Sequence, residues 1–390
     1  MTIGARSHRL SPVVDAIPPS GIRRFFDLAN QMENVISLGV GEPDFVTPWH
    51  IREASLYALE RGFTTYTSNR GLPELCEAIT AYLEDFELHY DPAEEVLVTV
   101  GGSEAIDLAL RALVCPGDEV LIPGPTYVSY RPCALLAGAT VVDVPTYPED
   151  NFRLTAEALE ACVTSASKVL VLCYPNNPTG AIMTSDDLAA IAEVAIAHDL
   201  FVISDEIYAE LTYGSQHASI AALPGMKERT IVVSGLSKAF AMTGWRIGYA
   251  AGPEDVISAM LKVHQYTSLC APSMGQMAAL EALTHGKEEK DRMVASYDRR
   301  RRLIVDGFNQ MGLTCHSPQG AFYAFPDIRN TGMSSQDFCE ALLRETQVAV
   351  VPGDVFGATG EGFIRCSYAT SVQQIEAALE RIAKFVDRLW

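Results

Sequence analysis

A chain of 390 residues that is 48% hydrophobic and 20% charged has enough length for one large and one smaller domain and enough apolar material for a sizeable core, which excludes a disordered chain. Its formal net charge of −20 repels polyanions and argues against nucleic acid as a partner, although a small anion can still meet a locally positive site. The nine cysteines are scattered without any C-x-x-C pair, which disfavours a disulfide framework or a zinc cage and suits a reducing cytoplasm.

In chain order, residues 1–45 read as irregular. Pro12, Pro18 and Pro19 interrupt helix, and Ser20 then opens a short helical run through Ala29. The Arg-containing start has no apolar stretch behind it, so no secretory signal is expected, and no window approaches the ~18 apolar residues of a membrane span. From Val96 the pattern becomes regular. Seven apolar runs, Val96–Val100, Glu119–Pro123, Thr140–Val144, Lys168–Cys173, Leu200–Ser204, Arg229–Ser234 and Arg246–Ala251, show little polar alternation, as strands covered on both faces do. Between them lie amphipathic helices. Ser103 to Cys115 carries Ala105, Ile106, Ala109, Leu110 and Leu113 on one stripe, and Ser185 to His198 is similar. Such alternation predicts an α/β fold with a mainly parallel, doubly wound sheet.

After about residue 285 the rhythm changes. A charged helix (Lys287 to Met311) leads to short strands near Ala321–Phe325, Val348–Val351 and Gly362–Ser367. The C-terminal helix Ser371 to Leu389 lines up Val372, Ile375, Leu379, Ile382 and Phe385, with Ser371 and Gln374 spaced as a capping box. We therefore expect a large domain over 46–284, and a smaller α+β domain made of 285–390 together with the N-terminal arm 1–45.

Ligands of such sheets bind outside the carboxyl ends of the strands, so the residues following each strand are the candidates. Gly101-Gly102-Ser103 opens a helix. It reads either as an anion cradle of backbone amides or as an ordinary strand-to-helix turn with a serine cap. Tyr174-Pro175-Asn176-Asn177-Pro178-Thr179-Gly180 is turn-rich. Asp205 and Tyr208 share one side if one helical turn follows the strand, although a carboxylate there also reads as a plain helix cap. The most informative window is Ser237-Lys238-Ala239-Phe240 through Gly244-Trp245-Arg246-Ile247-Gly248. Lys238 stands among Ala, Phe, Met, Trp and Gly, unlike most of the other six lysines. A desolvated lysine loses pKa and becomes nucleophilic, whereas the bland alternative is a stem packed on the core with its head in water. Arg246 offers a planar fork for phosphate. An anion cradle, an Asn, an Asp–Tyr pair, an apolar Lys and an Arg at one sheet edge are what a phosphorylated pyridine aldehyde requires. Amides and Arg suit its phosphate, a carboxylate its ring nitrogen, and an amine its aldehyde.

From these residues, and from Ile36-Ser37-Leu38-Gly39-Val40-Gly41-Glu42-Pro43-Asp44-Phe45 to Gly362-Phe363-Ile364-Arg365-Cys366-Ser367, the chain resembles the fold-type-I, pyridoxal-phosphate-dependent aminotransferases of class I/II, in the subgroup with prokaryotic aspartate and aromatic amino acid aminotransferases. The resemblance implies the PLP-dependent transferase fold and pyridoxal 5'-phosphate as cofactor, with no metal. Lys238 would be the Schiff-base lysine and the acid/base of the proton shift. Asp205 would hold the ring nitrogen, Asn177 and Tyr208 would bind the 3-oxygen, and Tyr127 would stack on the ring. Gly102, Ser103, the Glu104 amide and Arg246 would hold the phosphate, with Ser237 beside them. Tyr66 would reach the phosphate from the neighbouring subunit of a homodimer with shared sites. Arg365 would clamp the substrate α-carboxylate, helped by Gly41 and Asn177. A cis Asn177–Pro178 bond is also implied.

Three positions depart from the common pattern. Glu104 stands where many relatives have Gln, Tyr127 where some have Trp, and Ser234 where Asn is common. The expected activity is transfer of an amino group from an aromatic or broad range of L-amino acids to a 2-oxo acid, 2-oxoglutarate by preference, with ping-pong kinetics through pyridoxamine phosphate. An aspartate or N-acyl-diaminopimelate aminotransferase, or a β-lyase on the same scaffold, is the alternative. Arg23 and Arg24 lie near the substrate side by analogy, and plain surface charge is their other reading.

Overall fold

Seven strands form one sheet in the computed structural model, which describes residues 10–19, 21 and 32–389. In chain order they follow a two-residue strand β1 (Ile36–Ser37) and are β2 (Val96–Thr99), β3 (Glu119–Gly124), β4 (Thr140–Pro145), β5 (Ser167–Cys173), β6 (Phe201–Asp205), β7 (Thr230–Gly235) and β8 (Gly248–Ala251). Their order across the sheet is β2-β8-β7-β6-β5-β3-β4. All pairings are parallel except those of β8, which runs antiparallel to both β2 and β7. The predicted strands are thus all present, six of them shifted by a single residue at one or both ends. Only the last is shortened more, because Arg246 adopts a left-handed backbone with φ 57° and cannot join the ladder.

The scarcity of polar alternation has a direct cause. Val169, Val171 and Cys173 of β5 pack into one core cluster with the helix α1 (Gly102–Leu113) and with Ile257 and Met260 of α2 (Glu254–Thr267). Leu170 and Leu172, on the other face of the same strand, pack with Leu188 and Ile191 of the helix Ser185–Ala197. Both faces of the sheet are covered, so period-2 patterning has no solvent side to report. On α1 the predicted stripe Ala105, Ile106, Ala109, Leu110 and Leu113 is buried.

Beyond the sheet, α3 (Lys287–Gln310) precedes β9 (Tyr323–Ala324), β10 (Val348–Ala349), β11 (Val351–Pro352) and β12 (Ile364–Ser367), and α4 (Val372–Val386) follows them. Strands β11, β12 and β9 make a small antiparallel sheet, while β1 pairs in parallel with β10, tying the N-terminal segment to the C-terminal part of the chain. On α4, Ile375, Leu379, Ile382 and Phe385 are buried as expected, but Val372, in the first turn, is 40% exposed. Ser371 caps this helix by accepting from the Gln374 amide, without the reciprocal bond of a full capping box. Thr184 and Asp187 form the reciprocal pair instead. Pro12 does not break helix but starts the short helix Pro12–Ala16, since proline at the first helical position loses no hydrogen bond. Apart from Gly21, the expected run from Ser20 to Ala29, with Arg23 and Arg24, lies outside the described residues.

Candidate active site

The carboxyl edge of the sheet opens on a cavity of about 580 Å³. The parallel strands deliver their C-terminal residues here: Cys173 and Asn177 after β5, Asp205 and Tyr208 after β6, Ser237 and Lys238 after β7. An antiparallel strand begins where its parallel neighbours end. Gly248 pairs with both Thr99 and Gly235, so Arg246, two residues earlier, arrives at the same edge. Gly102, Ser103, Tyr127, Gly41 and Arg365 complete the predicted lining. Eleven of the predicted site residues therefore meet in one hollow.

The Gly101 turn admits no side chain. Its φ is 77° and a Cβ there would collide with the Arg246 guanidinium, while a Cβ on Gly248 would strike the backbone of Gly101 and Gly102. Glycines at these points bring amides and a guanidinium together at the first turn of α1. The N-cap of this helix is Gly101 without any side-chain cap bond, so Ser103 is not spent on capping and lines the cavity.

Lys238 opens part of its surface onto the cavity, and its amine donates to the Gly41 carbonyl at 2.6 Å. Tyr208 and Phe322 place their rings 6.0 and 5.9 Å from that amine. Burial lowers its pKa to about 8, against the raising effect of Glu42 and with help from Arg365 and Arg246. Asp205 moves the other way. Burial raises its pKa to about 6, although the Tyr130 hydroxyl donates to it at 2.6 Å and the Ile207 amide at 3.2 Å. It caps no helix, because the chain after β6 forms a turn. Burial thus moves a carboxylate up and an amine down, each toward its neutral form, while both stay mainly ionised at pH 7.

Arg365, also on the cavity wall, is 2% exposed. It donates to Asn177 Oδ1 at 2.9 Å and to the Gly39 carbonyl at 2.6 Å, while its Nε is buried without a partner. The rings of Tyr323 and Phe356 lie 4.5 and 4.9 Å from its central carbon. No carboxylate of the described residues forms an ion pair with it. A buried guanidinium with no anion is costly, and the cavity beside it is where an anion would answer that cost.

Two predicted residues do not line the cavity. Tyr66 is 79% exposed. Glu104 turns its carboxylate away, and its amide meets the Gly101 carbonyl at 3.2 Å. The expected cis bond is not at Asn177–Pro178. Cis bonds occur at Gly124–Pro125 and Tyr174–Pro175, and the trans Asn177–Pro178 bond lets residues 176–180 close one turn, with Gly180 donating to the Asn176 carbonyl and Thr179 to its side chain. Ser234 is buried against the Glu206 carbonyl at 3.2 Å and does not line the cavity. Sequence reasoning missed Tyr130 and Tyr323. Tyr130 lies three residues after Tyr127 in the sequence, the one local sign of it. Tyr323, whose hydroxyl pairs with that of Tyr208 at 2.8 Å, comes from a distant strand and left no local sign. Among the described residues no cluster of His, Cys, Asp or Glu is placed to hold a metal ion, and no helix is long and apolar enough to cross a membrane.

The family model for aminotransferase class I and II matches residues 33–382. The chain is 56% identical to "Putative aminotransferase YugH" of Bacillus subtilis (strain 168), covering 97% of this chain and 98% of that one. It is 47% identical to an aspartate aminotransferase of Pyrococcus abyssi (strain GE5 / Orsay), over 96% and 97% respectively. The crystal structure of an aromatic aminotransferase from Pyrococcus horikoshii OT3 superimposes with a TM-score of 0.90 at 46% identity, covering 93% of this chain and 99% of that chain. A cavity walled by an amide cradle, a lysine of lowered pKa and an unanswered arginine, on a fold and a sequence this close to those proteins, places the chain in the class I and II aminotransferase family.

Proposed function

We propose that the cavity holds pyridoxal phosphate, the cofactor of this family, with the roles that the sequence implied. The donor set fits the group. The Gly101 turn leaves no room for a Cβ, Arg246 stands over it, and a carboxylate and an amine face the cavity between this turn and Arg365. Gly102, Ser103 and Arg246 would hold the phosphate, Asp205 the ring nitrogen, and Asn177 and Tyr208 the 3-oxygen. Tyr127 would cover the ring and Lys238, with Ser237 beside it, would carry the aldehyde carbon. When bound, the cofactor supplies an electron sink for the pair left at the substrate Cα.

The chain's own residues do the rest. Arg365 binds the α-carboxylate by a planar two-point fork, which fixes the amino acid with its Cα toward Lys238. The Lys238 amine, whose pKa burial lowers to about 8, is the base that would take the Cα proton and hold it at Nζ. Asp205, its two oxygens oriented by Tyr130 and the Ile207 amide, would be held as the anion by a protonated ring nitrogen. The observation that carries this reading is the buried Arg365, its Nε unpartnered and no described carboxylate paired with it.

The activity is amino-group transfer between an amino acid and a 2-oxo acid. The donor range we favour is aromatic or broad, with 2-oxoglutarate as acceptor. The cations on the cavity wall, Lys238, Arg246 and Arg365, are each engaged in the reading above, which leaves none among the described residues for a distal carboxylate. Tyr127, Tyr323 and Ile106 add apolar wall. An aspartate donor is the second reading, favoured by the aspartate aminotransferase relative at 47% identity. A half-reaction panel on the loaded enzyme with Asp, Phe, Tyr, Ala and N-acyl-diaminopimelate, followed by the cofactor absorbance, decides between them. Phe and Tyr at least as fast as Asp support the first, and a clear preference for Asp overturns it.

The same reading takes 46–284 as the cofactor-binding domain and 285–390 with 1–45 as the smaller one, in keeping with the β1–β10 pairing. It pairs two protomers so that Tyr66 of each reaches the other's phosphate. The exposure of Tyr66, Trp49, Phe63 and Tyr266, large apolar rings that a partner would cover, supports this. Nine unpaired cysteines suit a cytoplasmic home.

A further inference from the structure

Glu104 belongs to the helix that carries the cradle but does not face the cavity. Its carboxylate accepts three bonds: from the Val100 amide at 2.5 Å, from His264 Nδ1 at 2.9 Å and from the Ser268 hydroxyl at 2.7 Å. His264 is fully buried in α2, and Ser268 follows its last turn. The three donors come from both sides of the turn 100–103. Val100 lies at its entry, while His264 and Ser268 belong to the helix packed against α1. The hydrogen bonds hold the Glu104 pKa below the ordinary carboxylate value against the raising effect of burial.

We infer that Glu104, braced by His264 and Ser268, is a positioning residue for the phosphate. By drawing the Val100 amide back, it sets the turn so that Gly102 and Ser103 face the cavity. This rests on the reading of that turn as the phosphate cradle. An acceptor-only group suits the site, since all three partners donate to it. The His264 Nε2, buried with no partner, explains why the carboxylate matters. A Gln at 104 must turn its amide nitrogen toward Ser268 and His264. The imidazole would then have to accept at Nδ1 and carry its proton on Nε2, where nothing accepts it. Gln would nevertheless keep an oxygen for the Val100 amide, so it should preserve most of the turn.

The test compares two probes on the full chain freed of cofactor: pyridoxal 5'-phosphate, and pyridoxal, which lacks the phosphate. Glu104→Ala should weaken the phosphorylated form by about tenfold while leaving pyridoxal within about twofold. Glu104→Gln should recover most of the loss, to within about threefold of the parent chain, and Ser268→Ala should show a smaller loss with the same selectivity. Equal losses for both probes would mean a merely structural role and overturn the inference, as would an unchanged affinity for the phosphorylated form. Arg246→Ala serves as the reference. If it removes the preference for the phosphorylated probe and Glu104→Ala does not, the positioning role alone fails. If neither affects the preference, the cradle reading falls as well.

Discussion

The part of the cavity proposed to hold the cofactor takes its residues from one sheet, whereas the part proposed to bind the substrate is assembled across the chain. Asn177, Asp205, Ser237 and Lys238 follow three adjacent parallel strands, and Arg246 precedes the antiparallel strand next to them. Their convergence follows from strand order alone. Arg365 instead meets Gly39, 326 residues away, and Asn177, 188 residues away, under the rings of Tyr323 and Phe356. The first end is secured by the sheet core. The second depends on how the C-terminal part of the chain docks on the N-terminal segment and the sheet, so it is the end that changes elsewhere in the chain can disturb.

Separate lesions should therefore give separate signatures. The largest effect is expected from Lys238→Ala, which should slow exchange of the amino acid Cα hydrogen with solvent by at least about 10³-fold, measured by deuterium washout. A variant that still exchanges at a substantial fraction of the parent rate would remove Lys238 from the proton transfer. Next, Arg365→Lys should raise KM by roughly 10²-fold for every amino acid and 2-oxo acid alike, with a lesser effect on kcat, because an ammonium cannot reproduce the planar fork. A penalty confined to one class of side chain would show that Arg365 reads the side chain and not the shared α-carboxylate.

The smallest effect concerns stability at the cofactor end. Burial raises the Asp205 pKa from 3.8 to about 6 in the folded chain. The stabilisation this gives is complete below about pH 4 and is lost as pH rises through about 6. The cofactor-free protein should thus lose stability on the order of 2 kcal/mol, a few degrees in Tm, across that window through this group. Asp205→Asn should flatten that part of the melting profile and melt higher than the parent chain at pH 7. A parallel profile for both proteins would show that Asp205 is not strained toward its neutral form. Arg365→Lys, which keeps Asp205, should retain this window unchanged, which keeps the distinction between the two ends sharp.

The amino-acid order by itself determined the seven strands, the stripe on α1, the Gly101-Gly102-Ser103 turn and the isolation of Lys238 among apolar neighbours. These are local properties. A run of Val, Ile and Leu can be satisfied on both faces only inside a sheet, and a glycine pair marks a close approach wherever it ends up. Only the tertiary structure decided which group orients Asp205, since Tyr130 sits 75 residues before it. The same holds for the wall that covers Arg365 and for the destination of the Glu104 carboxylate, whose partners His264 and Ser268 lie 160 and 164 residues away. A hydrogen bond is specified by where two atoms meet in space, and no periodicity along the chain encodes that meeting. It also decided that Asn177–Pro178 is trans, because the turn around it is closed by the Asn176 side chain and carbonyl, groups whose reach depends on the folded loop.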